Sequence, residues 1–156
     1  ISTALAHGAR GVMWFYSYQN DHDLSYRNSP FTNFGLKKTP MFDIIARQQY
    51  LFQQAHLEQF NKMELINVYH HGHLYDASKR FIYDEYISDI FTDRKFPIII
   101  SYYKEFDSEK KWLSIVNGSQ KYANLFKMTF TNGHKETFWL APGELRLLNL
   151  DEIFNK

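Results

Sequence analysis

The sequence has no cysteine, which excludes disulfides and zinc–thiolate sites. It has no excess of either charge: 18 Lys and Arg stand against 17 Asp and Glu, and basic residues never cluster into a longer run. Nothing therefore supports binding to a phosphate backbone, which needs a basic stripe or patch. No apolar run approaches the roughly 20 residues of a membrane-spanning helix. The first residues, Ile1-Ser2-Thr3, are neither an initiator Met nor a basic stretch leading into an apolar one. The compartment stays open, with secretion and the periplasm both compatible. Internal repeats and low-complexity tracts are missing as well.

What is present is an unusual share of rings. Aromatic residues make up 18% of the chain within an apolar content of 44%, enough for a packed core. Flat rings pack on pleated sheets and also stack on sugar C–H faces, so both β-rich structure and sugar contact fit. The length suits one ordinary domain or two small ones.

Residues 2–7 read as a helix end that runs through Gly8 and Gly11 into a near-continuous apolar run over residues 11–18. Such a run fits a strand buried on both faces, as in a parallel sheet or barrel. Nothing in the chain supplies what should precede it, so the chain reads as the tail of a larger protein. Residues 19–38 are polar and read as a long loop, of a length uncommon unless functional. Thr39-Pro40 predicts a helix start, with a hydroxyl N-cap and proline at the first helical position. Met41, Ile44, Ile45, Leu51, Phe52 and Ala55 then make one apolar face to about Phe60.

Residues 63–69 read as a strand, and residues 70–95 stay ambiguous. From Phe96 onward, short strands are expected over 97–103, 111–117, 122–130, 135–140 and 144–150. Asp107-Ser108, Asn117-Gly118, Asn132-Gly133 and Pro142-Gly143 separate them. Asn132-Gly133 predicts a hairpin with a type I′ turn. Strands at this spacing predict an antiparallel sandwich.

The order of these motifs resembles a known family. Ala4-Leu5-Ala6-His7-Gly8-Ala9-Arg10-Gly11-Val12-Met13-Trp14-Phe15 resembles the last α/β step of the barrel in β-galactosidase-like glycoside hydrolases. Asn33-Phe34-Gly35-Leu36 and Thr39-Pro40-Met41-Phe42 are similar to that family's approach to its final barrel helix. Pro97-Ile98-Ile99-Ile100, Asn117-Gly118-Ser119 and Leu140-Ala141-Pro142-Gly143-Glu144 resemble its trailing β-domain. The resemblance implies an α/β plus all-β chain. Residues 1–62 would be the C-terminal end of a (β/α)8 barrel (strand 8 and helix 8), and residues 63–156 a small β-sandwich accessory domain.

The resemblance also implies the C-terminal part of a glycoside hydrolase that cleaves glycans or oligosaccharides with two carboxylic acids. Those acids sit on earlier barrel strands, upstream of this chain, and no residue here matches either. The implied partners are a carbohydrate substrate and the upstream barrel portion of the same protein, with no nucleic acid, membrane, cofactor or metal. A non-catalytic carbohydrate-binding or scaffold module is the alternative, binding through residues such as Trp112, Tyr122 or Trp139.

In a barrel, ligands meet the C-terminal ends of the strands. That selects Tyr16, Ser17, Tyr18 and Asn20 as candidate substrate-binding residues. By alternation Trp14, Tyr16 and Tyr18 share one side, and Met13, Phe15, Ser17 and Gln19 the other, with the interior side left open. Asp21, His22 and Asp23 fit a solvated loop or a rim. His70, His71 and His73 invite a metal, but no carboxylate stands at a ligand spacing. Asp84 and Glu85 are adjacent, so their side chains diverge and do not flank one bond. Asn117-Gly118-Ser119 fits a glycosylation sequon.

Overall fold

The computed structural model describes residues 1–12, 29–31, 37–74 and 76–155. Residues 13–18, on which the buried-strand reading falls, lie outside them. The chain divides into two compact units. One comprises Ile1 and Gly11–Asn61, the other Ser2–Arg10 and Lys62–Lys156.

In the first unit, helix α2 spans Pro40–Phe52 and continues through a π-helical stretch, Gln53–Leu57, into α3, Glu58–Phe60. Proline opens α2 where its missing N–H costs nothing. The expected hydroxyl cap is absent. Thr39 sits in extended geometry with no side-chain cap, because its Oγ1 donates to Ser29 O at 2.6 Å instead. Phe52, His56 and Phe60 touch ring to ring along one side. No residue of these three helical pieces is buried. Ile44, Tyr50, Leu51 and Leu57 of the apolar stripe are exposed.

The second unit is built of antiparallel sheets. Its strands are β1 (Met63–His71), β2 (Ile87–Thr92), β3 (Ile98–Glu105), β4 (Lys111–Asn117), β5 (Asn124–Phe130), β6 (Lys135–Leu140) and β7 (Leu145–Asn149). One sheet has the order β1-β3-β4-β7 and the other β2-β5-β6. The alternation of the strands explains how they close on each other. Ile98, Ile100, Tyr102, Leu113 and Ile115 of the larger sheet meet Ile87, Ile90, Phe126, Met128, Phe130 and Leu140 of the smaller one in a single core. This is the expected sandwich pattern. Each fully buried Phe or Ile side chain contributes about 1.5–3 kcal/mol. The short helix α4 (Leu150–Phe154) buries Leu150 and Ile153, and the Asn149 side chain caps it by accepting from the Asp151 and Glu152 amides.

The ambiguous stretch 70–95 contains β2 and the end of β1. Residues 79–81 run beside β1, with His70 N donating to Lys79 O and Phe81 N to His70 O. Gly72 makes the turn between them possible. Its φ is +80°, and a Cβ there would stand 2.4 Å from Phe96 O. The β5–β6 hairpin is real, but its turn is not type I′. Only Gly133 has positive φ, and Gly133 N donates to Phe130 O, giving a type I turn followed by a left-handed glycine.

Candidate functional site

The four candidate substrate-binding residues, Tyr16, Ser17, Tyr18 and Asn20, lie outside the described residues, as do Asp21, His22 and Asp23. What is described of the opening stretch is helix α1 (Ser2–Ala6) and the turn after it, and these pack on the second unit. Sandwich sheets commonly leave the outer face to water. Here β3 is buried on both sides. Ile98, Ile100 and Tyr102 face the core, and the alternate residues Ile99, Ser101 and Tyr103 face outward yet stay buried.

Helix α1 supplies the cover. Leu5 and Ala6 are buried, Ser101 Oγ donates to Ala6 O at 2.7 Å, and Tyr103 Oη donates to Leu5 O at 2.9 Å. These bonds satisfy carbonyls at the end of a helix, which have no partner within it. Burial raises the Tyr103 phenol above its ordinary pKa. The Arg10 guanidinium lies 4.8 Å from the centre of the Phe106 ring.

His7 follows α1 and faces His70, with Nε2 to Nε2 at 3.2 Å. The tautomers follow from the partners. His7 Nδ1 is 2.8 Å from Thr3 O and must donate to it, so His7 Nε2 accepts and His70 Nε2 donates. His70 Nδ1 is then a buried acceptor without a partner among the described residues. Burial, and next the electrostatic influence of the neighbouring His7, hold His70 below its ordinary pKa. Both imidazoles line a groove of about 820 Å³, together with Asp76, Ser78, Lys79 and Ser119. Ala77 beside it has φ of 65°, a left-handed conformation uncommon outside glycine.

The three histidines flagged in sequence do not converge. His70 meets His7, His71 lies edge-on to Phe81, and His73 follows the Gly72 turn. Among the described residues no group of three His, Asp or Glu is placed to hold a metal. The sequence missed the His7–His70 pair because its members lie 63 residues apart.

Asp84 is held in place by three hydrogen bonds. Asp84 accepts from the Tyr86 and Ile87 amides through Oδ1, and from Tyr102 Oη at 2.6 Å through Oδ2. Burial and then that carboxylate raise the Tyr102 phenol far above its usual pKa. Tyr86 Oη accepts from Lys111 Nζ at 2.6 Å, which holds the lysine above its ordinary value.

Of the aromatic candidates, Trp112 donates through Nε1 to Glu105 and is half-buried. Tyr122 stacks on Phe96 at 5.6 Å, with Arg94 over its ring. Trp139 is 60% exposed and so is not a core residue. Asn117 of the sequon is fully buried, with Nδ2 committed to the carbonyls of Tyr122, Leu140 and Ala141. The folded protein does not present it for glycosylation.

No family model matches the chain, and neither a curated protein nor a solved structure matches it.

Proposed function

We propose that the chain is the C-terminal part of a glycoside hydrolase acting on glycans or oligosaccharides. Residues 1–62 would be the end of its (β/α)8 barrel, and residues 63–156 its accessory β-sandwich. The observation that carries this reading is the seam between α1 and the larger sheet. The helix belongs to the segment that resembles the barrel's last α/β step, and it buries a sheet face that a free-standing sandwich exposes to water. The helical run from Pro40 to Phe60 supports the same reading. It is amphipathic by sequence yet buries no residue, as a barrel helix does when the strands it covers belong elsewhere.

On this reading the two carboxylic acids lie upstream, and the work of this part is structural: closing the barrel, lining one wall of the sugar site and carrying the sandwich. Tyr16, Ser17, Tyr18 and Asn20 are its proposed substrate contacts. The test is hydrolysis of short aryl glycosides. The purified 156-residue chain is expected to be inactive, and a parent protein carrying it is expected to be active. Turnover by the chain alone, lost on Asp84→Asn or Glu85→Gln, would overturn the placement of the chemistry.

The alternative is a non-catalytic carbohydrate-binding or scaffold module. It is favoured by the exposed Trp139 and Phe91 on the outward face of the smaller sheet. A parent that binds glycans but hydrolyses none would select it.

A further inference from the structure

Two hollows meet at the Tyr86–Lys111 pair. The first, about 430 Å³, is lined by Asn67, Tyr69, Asp84, Glu85 and Tyr102 together with that pair. The second, about 320 Å³, is lined by Glu109, Leu150, Asp151 and Phe154 together with the same pair. Both fall at the small end of the size range of ligand pockets. A shared wall between two hollows of similar size suits a chain of linked rings better than one compact ligand.

The bulge in β1, between Leu65 and Asn67, lies where the first hollow meets this edge strand. Bulges of this kind re-aim side chains at sheet edges. The loop that supplies Asp84 and Glu85 is held by the Tyr102 hydroxyl and by the Tyr86 and Ile87 amides, so the acids stand on a fixed backbone.

We propose that these hollows are adjoining subsites for a neutral oligosaccharide, with one sugar ring in each and the Tyr86–Lys111 pair between them. The chemistry follows from the walls. Half-buried Tyr69, Tyr86 and Phe154 offer ring surface to sugar C–H groups. Asp84, Glu85 and Asp151 accept hydrogen bonds from hydroxyls, and the Lys111 ammonium donates to them. Glu109 is already engaged by Lys104 at 2.8 Å. Four carboxylates against the one lysine of the walls disfavour an anionic sugar or a phosphate. The site performs no bond cleavage and holds a glycan beside the enzyme that cuts it.

The choice of ligand rests on the glycan reading above, but the two are tested apart. The 156-residue chain is screened on an array of neutral and acidic oligosaccharides, and the strongest neutral tetrasaccharide is titrated by calorimetry. Glu85→Gln and Lys111→Met are each expected to weaken binding at least about ten-fold with an unchanged circular dichroism spectrum, and Trp139→Ser to leave it unchanged. Failure of every neutral oligosaccharide to bind would overturn the proposal. So would binding that Trp139→Ser removes while the other two variants retain it, or a preference for acidic sugars or an oligolysine peptide. Hydrolysis of a short aryl glycoside by the parent does not depend on these hollows, so either idea falls without the other.

Discussion

Replacing Ser101 by alanine removes one oxygen and tests the seam between α1 and the larger sheet. Ser101 is fully buried, and its hydroxyl donates to Ala6 O at 2.7 Å. Ala6 is also fully buried, and no backbone N–H reaches its carbonyl among the described residues. The change therefore loses a hydrogen bond and leaves a buried acceptor unsatisfied, at a cost of about 2 kcal/mol.

Tyr103→Phe is the comparison. It removes the donor to Leu5 O, but that carbonyl keeps the Gly8 N–H at 2.8 Å. Its cost is about 1 kcal/mol, because the Leu5 carbonyl is not left unpaired. The smaller side chain should therefore matter more. Equilibrium urea unfolding reads the difference as a midpoint lower for Ser101→Ala by roughly 0.5 M. Equal midpoints, the reverse order, or a Ser101→Ala loss below about 0.5 kcal/mol would refute the claim that α1 closes this face.

Three further outcomes follow from other parts of the fold. Gly72→Ala should cost about 2–4 kcal/mol in urea unfolding, since its φ is +80° and the new Cβ would stand 2.4 Å from Phe96 O. Asn117→Ala strips the donors from three carbonyls and the acceptor from Ser119 N, and should lower Tm by about 10 °C in calorimetry. Because His70 is held below its ordinary value of 6.5, the unfolded chain takes up a proton there before the folded one does. Its contribution to stability is present above pH 6.5 and is lost as pH falls through the lower folded value. Between about pH 8 and pH 5 the urea midpoint should fall less in His70→Gln than in the wild type, and equal falls would contradict it.

The sandwich was legible because its signals are local. Residues 111–117 and 135–140 read as strands from alternation and flanking turn residues, and they are β4 and β6 as expected. The misreadings have local causes too. Asn132-Gly133 suits a two-residue turn, but one more residue in the loop lets Gly133 alone take positive φ. Thr39 has the chemistry of a cap, yet Ser29 O competes for its hydroxyl. Strand β2 was hidden because Ser88, Asp89 and Phe91 face away from the core, which leaves only Ile87 and Ile90 as an inward pattern.

The features that bear on function were mostly illegible for a different reason. The pairings of Ser101 with Ala6, His7 with His70 and Tyr102 with Asp84 join residues from 18 to 95 positions apart. No spacing rule reaches that far. Lys111 opens strand β4, and only the fold brings its ammonium to Tyr86.

The most direct measurement is the hydrolysis of a short aryl glycoside by the parent protein and by its Asp84→Asn, Glu85→Gln double variant. The account predicts turnover by the parent, the same turnover by the double variant, and none by the 156-residue chain alone. Loss of turnover in the double variant, or turnover by the isolated chain, would contradict it.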